Sequence, residues 1–219
     1  MASTHGKQLT RTLLKATVAP LIEHLWVGKV AGLEHIPSGP AILVANHCSY
    51  MDFLVLGVVC EMLVRRPVHF WANHRITRLH PLFRHLAAVC EAVPVDRQTF
   101  SGESWRKSLQ LLDQGRLLGI FPEGTRSRSG KLQTFRPGYL KLATTAGVPV
   151  IPVRLEGAYA AWPPQRRWPR LGRKCALTIH PPVAVPQDLS RQELEERNRM
   201  IVEEFFSHEA AKSAKIKGY

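Results

Sequence analysis

The sequence predicts an α/β sandwich: a single domain with one mixed, mostly parallel sheet flanked by helices, preceded by an amphipathic helix. Three observations predict it. Short apolar runs of strand length alternate with segments of helical length along most of the chain, the pattern of successive strand–helix units. Several runs are apolar throughout rather than at every second position, notably Ala41 to Ala45 and Leu117 to Phe121, as in strands covered on both faces. The chain has 219 residues, 45% hydrophobic and 21% charged, enough for a substantial core in one folded domain.

The elements follow in order. Lys7 to Trp26 reads as a helix with Lys7, Arg11 and Lys15 on one face and Leu9, Leu13 and Ala16 on another, kinked or divided by Pro20. Such a helix either lies on a bilayer, with cations near lipid phosphates, or packs on the domain. Residues 1–28 are assigned to this segment and 29–219 to the domain that follows. Val27 to Glu34 is a short strand, and the turn-rich link to Pro40 leads into the strand Ala41 to Ala45. A helix follows from Phe53 to Val64, then a strand from Val68 to Ala72. Asn73 to Leu86, rich in His, Arg and aromatic residues, reads as a solvated helix pair or a surface for acidic lipid. Ala87 to Val95 is a strand closed by Asp96-Arg97, and Ser101 to Gln114 is a helix with a stop at Gly115. After the strand Leu117 to Phe121, a basic loop from Pro122 to Gly138 leads to a helix from Tyr139 to Ala146 ended by Gly147. Val148 to Leu155 is a β-branched strand whose Pro149 and Pro152 suggest a sheet edge or a bulge. Ala161 to Lys174, with Trp162, Trp168 and several Arg, is a loop that either is solvated or meets an interface or a phosphate. Cys175 to Ile179 and Val183 to Val185 are weak strands, and Ser190-x-x-Glu193 opens a last helix to about Ala211.

Thirty Lys and Arg against seventeen Asp and Glu give a net charge of +13, which calls for an anionic partner: nucleic acid, an anionic membrane surface or a phosphorylated substrate. Zinc spacing, heptads and an aromatic–basic recognition signature are missing from the sequence, which argues against nucleic acid. Cys48, Cys60, Cys90 and Cys175 form no close pair or metal-type spacing, so free thiols and no metal are expected. No stretch has the length and apolarity of a spanning helix, because Phe53 to Val64 is short and contains Glu61. The N-terminal stretch lacks the apolar core and cleavage site of a secretory signal. No Walker loop or Gly-x-Gly-x-x-Gly is present, which argues against nucleotide-driven chemistry.

The chemistry centres on Asn46-His47-Cys48-Ser49-Tyr50-Met51-Asp52, between a strand and a helix. A His held by a carboxylate is a general base that takes a proton from a hydroxyl near neutral pH. The plain alternative is that Ser49-x-x-Asp52 caps the following helix and Asp52 is structural. Cys48 is a poor nucleophile candidate beside His47, since adjacent loop side chains point apart. No Gly-x-Ser-x-Gly elbow suggests a seryl intermediate.

Four motifs occur in order: His47-x4-Asp52; Asp96-Arg97; Phe121-Pro122-Glu123-Gly124-Thr125-Arg126-Ser127; and Val148 to Val153. Together they resemble the glycerolipid acyltransferase family, of the bacterial 1-acyl-glycerol-3-phosphate acyltransferase type, over about Gly32 to Val153. The resemblance implies an α/β acyltransferase domain that carries an acyl chain from acyl-CoA or acyl-carrier protein to the hydroxyl of a lysophospholipid. It needs no cofactor beyond that co-substrate and works as a peripheral protein on the cytoplasmic face of the membrane. It implies His47 as base and Asp52 as its partner, with Arg97 and Arg126 as a phosphate-binding pair. Glu123, Gly124 and Thr125 fall on the acceptor motif: Glu123 orients a hydroxyl or an Arg, and Gly124 allows close backbone approach. Arg136 falls on a looser basic element. Backbone N–H groups at the His47 junction are expected to hold the oxyanion. The sequence departs from the family where Val93-Pro94-Val95 stands in place of bulkier residues, which bears on acceptor preference. The expected acceptor is 1-acyl-sn-glycerol-3-phosphate, giving phosphatidic acid. A lyso-ornithine lipid or lysophosphatidylethanolamine is the alternative, and a basic nucleic-acid-binding protein the remote one.

Overall fold

A computed structural model describes residues 4–73, 91–95 and 101–207. Its strands are β1 (Val27–Ala31), β2 (Ala41–Ala45), β3 (Val68–Asn73), β4 (Val93–Val95), β5 (Leu117–Ile120), β6 (Val150–Glu156) and β7 (Cys175–Ile179). Its helices are α1 (Thr4–Trp26), α2 (Met51–Val59), α3 (Gly102–Asp113), α4 (Gly138–Ala146), the short α5 (Ala158–Ala161) and α6 (Arg191–Phe206). Among the described residues the seven strands form one sheet in the order β1-β7-β6-β2-β5-β3-β4. Every neighbouring pair is parallel except β6 and β7.

Successive residues of β2 supply opposite faces, and two cores result. Leu43 and Ala45 join Ile151, Val153 and Leu177 under α2 and α5, with Val55, Leu56 and Val59 pressed onto them. Ile42 and Val44 join Leu118, Ile120 and Val150 under α3, α4 and α6, with Leu112, Leu140, Leu142 and Ile201 above. Each such fully buried Leu or Ile contributes roughly 1.5–3 kcal/mol of transfer free energy. This explains the unbroken apolar run of β2: neither face meets water.

The helix expected at Phe53 to Val64 starts earlier, at Met51, and continues past Val59 as a π-helical segment, Cys60–Val64, before Arg65 turns the chain with φ 59°. The first strand is shorter than expected and sits at the sheet edge on β7. It is followed by a 3₁₀ turn at Leu33–His35. Of the strand expected at Ala87 to Val95, Val93–Val95 is strand and Glu91 is instead a turn at φ 49°, while residues 74–90, including most of the basic Asn73 to Leu86 stretch and Cys90, lie outside the described residues. The expected strand at Val183 to Val185 is reduced to a single bridge from Val183 to Val150.

The prolines of β6 correct the expectation of an edge. β6 lies inside the sheet between β7 and β2. Pro149 precedes the strand and its carbonyl accepts the Ile42 N–H. Pro152 turns its carbonyl toward the β7 side, where His180 N–H donates to it. Its missing donor falls just past the end of β7 at Ile179, before Pro181-Pro182, so only a terminal rung of the ladder is affected.

α1 is not divided at Pro20 but runs as one helix from Thr4 to Trp26, and it packs on α2 through Ala19, Ile22 and Val58. Arg11 and Lys15 pair with Glu61 at 3.7 and 2.9 Å, so these cations lie beside the domain while remaining partly exposed. The outward ridge is apolar: Leu9 is 63% exposed, and Leu13 and Leu21 are each 55% exposed. No helix among the described residues is long and apolar enough to cross a membrane.

Candidate active site

The carboxyl ends of β2 and β5, adjacent parallel strands, carry the two principal motifs to one edge of the sheet. There the chain must leave the ladder, and Asn46 eases the exit. Its side-chain amide donates to Leu155 O at 2.9 Å and its carbonyl accepts Leu155 N–H at 2.8 Å, extending the pairing of β2 with β6 by one side chain.

His47 follows, with its ring stacked on Phe121 at 4.2 Å between centroids. Its Nδ1 lies 2.8 Å from Asp52 Oδ2, and the same oxygen accepts the backbone N–H of Cys48 and of Ser49, both at 2.7 Å. A carboxylate oxygen only accepts, so the ring donates from Nδ1 and carries its lone pair on Nε2. Asp52 is fully buried, whereas the His47 side chain retains 15% exposure. The two readings meet in one side chain: Asp52, in the first turn of α2, ties down the junction loop ahead of the helix and also orients the imidazole. Ser49 does not complete a capping box, because its Oγ accepts Met51 N–H and donates to Trp162 O.

Among the described residues, Glu123 meets backbone N–H groups and Gln133. Its Oε1 accepts the His47 N–H at 2.6 Å, and its Oε2 accepts the Gln133 backbone N–H and side-chain amide at 3.2 and 3.0 Å. In return Ser127 N–H donates to His47 O at 2.8 Å. The two motif loops are therefore stapled together at residue 47. Burial pushes the Glu123 carboxyl up to about 7, opposed by these three hydrogen bonds.

Gly124 serves its turn through backbone freedom. It adopts φ 68°, and a Cβ there would meet nothing within 4 Å. Thr125 is exposed, and its carbonyl accepts the Gln133 side chain. The Arg126 guanidinium lies over the Tyr50 ring at 3.8 Å, and Tyr50 in turn meets Trp162 at 5.1 Å. Arg126 Nη1 is buried with no hydrogen-bond partner among the described residues. Such a donor is unfavourable unless an anion meets it. Arg136 is exposed at the far end of the loop, where its N–H donates to Pro122 O. Arg97 and Asp96 lie outside the described residues.

Four of the junction N–H groups expected to serve the oxyanion already have acceptors. The N–H groups of His47, Cys48, Ser49 and Met51 all donate within the junction. The Cys48 thiol is buried, and burial together with the Asp52 carboxylate pushes its pKa well up, unlike a reactive thiolate. Sequence reasoning missed Tyr50, Phe121 and Gln133 as parts of the site. Tyr50 and Phe121 stand inside the motifs, but only the fold shows what their rings touch.

Residues 28–156 match the Acyltransferase family. The chain belongs to that family. It is 30% identical over 131 residues to a 1-acyl-sn-glycerol-3-phosphate acyltransferase of Borreliella burgdorferi, a match covering 58% of this chain and 50% of that protein. A probable 1-acyl-sn-glycerol-3-phosphate acyltransferase of Mycoplasma genitalium is 32% identical over 141 residues, 64% of this chain and 52% of the other. The chain thus spans about half the length of these curated relatives. The crystal structure of the 1-acyl-sn-glycerophosphate (LPA) acyltransferase PlsC from Thermotoga maritima superposes with a TM-score of 0.71 at 26% identity, covering 100% of this chain and 85% of that one.

Proposed function

We propose that this acyltransferase-family protein moves an acyl chain from a thioester, acyl-CoA or acyl-carrier protein, onto the free hydroxyl of a lysophospholipid. The proposed acceptor is 1-acyl-sn-glycerol-3-phosphate and the product phosphatidic acid. The single observation that carries this reading is the His47 Nδ1 to Asp52 Oδ2 contact of 2.8 Å, set beside the unpartnered Arg126 guanidinium.

His47 Nε2 takes the proton of the acceptor hydroxyl while Asp52 stabilises the imidazolium that forms. The hydroxyl oxygen bonds to the thioester carbonyl carbon. The tetrahedral intermediate then collapses, the carbon–sulfur bond breaks, and His47 returns the proton to the departing thiolate. A thioester is more activated than the ester formed, so the step requires no metal or nucleotide. Arg126, held over the Tyr50 ring, meets the acceptor phosphate together with Arg97. Phe121, Phe70 and the half-exposed Phe53 form an aromatic file leading from the imidazole to the surface, with centroid steps of 5.8 and 6.5 Å, and offer the acyl chain an apolar path. The outward apolar ridge of α1 supports peripheral attachment to a membrane, and the cytoplasmic face is where acyl-CoA and acyl-carrier protein are found.

The test incubates purified protein with acyl-CoA and a mixed pool of lysophosphatidic acid, lysophosphatidylethanolamine and lyso-ornithine lipid. Products are read by mass spectrometry. Phosphatidic acid should dominate and should vanish with His47→Ala. Full activity in that variant refutes the mechanism, and preference for an acceptor without a phosphomonoester refutes the role of Arg126.

A further inference from the structure

The connection from α5 to β7, residues 162–174, is an unusual surface. It contains Arg166, Arg167, Arg170, Arg173 and Lys174 and no acidic residue. Trp168 is 67% exposed and Leu171 70% exposed, the two most exposed large apolar side chains among the described residues. An exposed Trp and Leu within a run of cations have no role in a core, and they make a poor surface for water alone.

The loop is nevertheless well tied down. Trp26 Nε1, at the end of α1, donates to Arg170 O at 2.9 Å, and Arg170 N–H donates to Ala161 O at 2.8 Å. Gln165 Nε2 donates to Arg128 O at 2.7 Å, reaching the Glu123–Arg126 motif loop, and Trp162 Nε1 donates to Arg166 O at 3.1 Å. Because β7 runs antiparallel to β6, the connection begins and ends at the edge of the sheet that carries His47. A parallel β7 would have taken it across to the far edge. The same loop that exposes Trp168 also supplies the Trp162 ring behind Tyr50 and the carbonyl that accepts Ser49 Oγ.

We propose that residues 162–174 form a docking surface for an anionic phospholipid bilayer, with Trp168 and Leu171 seated at the interface and Arg167 and Arg173 against lipid phosphates. The combination of an amphipathic ring, an apolar neighbour and unopposed cations fits the headgroup layer, where each element has a partner. The surface stands apart from the apolar ridge of α1, to which it is joined at Trp26. Its placement beside the site lets a lipid acceptor pass from bilayer to His47 without crossing water. The choice of partner rests on the lysophospholipid reading above.

The test uses the full chain and co-sedimentation with vesicles of phosphatidylcholine alone or mixed in equal parts with phosphatidylglycerol. Each cation near an anionic surface strengthens binding about fivefold, so the double variant Arg167→Gln/Arg173→Gln should bind the mixed vesicles about 25-fold more weakly and phosphatidylcholine unchanged. Trp168→Ser/Leu171→Ser should weaken binding to both. Leu9→Ser/Leu13→Ser reports the contribution of α1 separately. All loop positions chosen are exposed, and circular dichroism checks the fold. Unaltered vesicle binding in both loop variants overturns the proposal. So does displacement from vesicles by duplex DNA whose own binding is lost in the same variants. Vesicle binding through the loop by a protein that transfers no acyl group would remove the acyl-transfer reading and leave this one standing. An active enzyme whose vesicle binding ignores the loop would do the reverse.

Discussion

Replacing Asp52 by Asn separates charge from geometry at the centre of the site. Asp52 Oδ2 accepts three donors, while Oδ1 is buried without a partner among the described residues. An asparagine can put its carbonyl where Oδ2 stands and its amide in the unpartnered position, so the junction keeps its shape. What disappears is the negative charge facing the imidazolium in the transition state. At the observed 2.8 Å and an effective dielectric near 20, the gross attraction is about 6 kcal/mol. The amide dipole retains part of this, leaving a loss of roughly 3–5 kcal/mol, or about 10²- to 10⁴-fold in kcat. The assay follows thiol release from acyl-CoA with lysophosphatidic acid, beside thermal unfolding. Asp52→Asn should lose kcat and lower Tm by less than Asp52→Ala, because its amide enters a buried position with no acceptor among the described residues. Asp52→Ala should lose both, because the Cys48 and Ser49 N–H groups are then buried unpaired, at about 1–3 kcal/mol each. Near-native kcat in the Asn variant refutes the argument that this carboxylate serves His47.

Arg126→Lys should raise the acceptor KM about tenfold to a hundredfold with little change in kcat, since an ammonium neither lies flat on Tyr50 nor presents a fork of donors. Tyr50→Leu should raise the same KM about two- to fivefold, the worth of a cation–π contact of ~0.5–1 kcal/mol, and a change confined to kcat would exclude the positioning role. The Glu123 carboxyl titrates at about 7 in the folded protein against an ordinary value of 4.5. The raised value means that the folded protein holds the extra proton. Stability from this group is complete below pH 4.5 and is lost through the window up to about 7, by roughly 3 kcal/mol. Urea denaturation beside Glu123→Gln across that window should show this slope, and a flat difference contradicts it. A Cβ at Gly119 would stand 2.5 Å from two Phe70 ring carbons and 2.8 Å from Val68 Cγ1. Gly119→Ala should therefore cost about 1–3 kcal/mol and lower Tm by about 2–4 °C per kcal/mol, with near-native Tm as the refuting result.

Local chemistry was legible in the sequence. Ser101 accepts the Ser104 N–H at the start of α3, Ser190 and Glu193 form the capping box of α6, and Gly147 closes α4 at φ 63°. Each depends on residues within four positions of one another. The wholly apolar β2 was readable for a similar reason, since a strand covered on both faces has no polar side to reveal. What escaped depends on distant partners. The prolines of β6 pointed to an edge because a local rule cannot see that β7 ends opposite Pro152. The basic stripe of α1 left bilayer and domain equally open, because its partner Glu61 lies some fifty residues on from Arg11. At the site, the motif order named His47, Asp52 and Arg126. The targets of Glu123, the platform under Arg126 and the commitment of the junction N–H groups arise where two loops meet, and no single stretch encodes that meeting.

The cross-stapling of those loops has a consequence for how such a protein can diversify. Because the centre is braced from within, by contacts that involve no substrate, residues around its perimeter are free to change with little risk to the reaction. New headgroups or chain lengths can then be explored by altering the rim alone, and the chemistry is inherited intact.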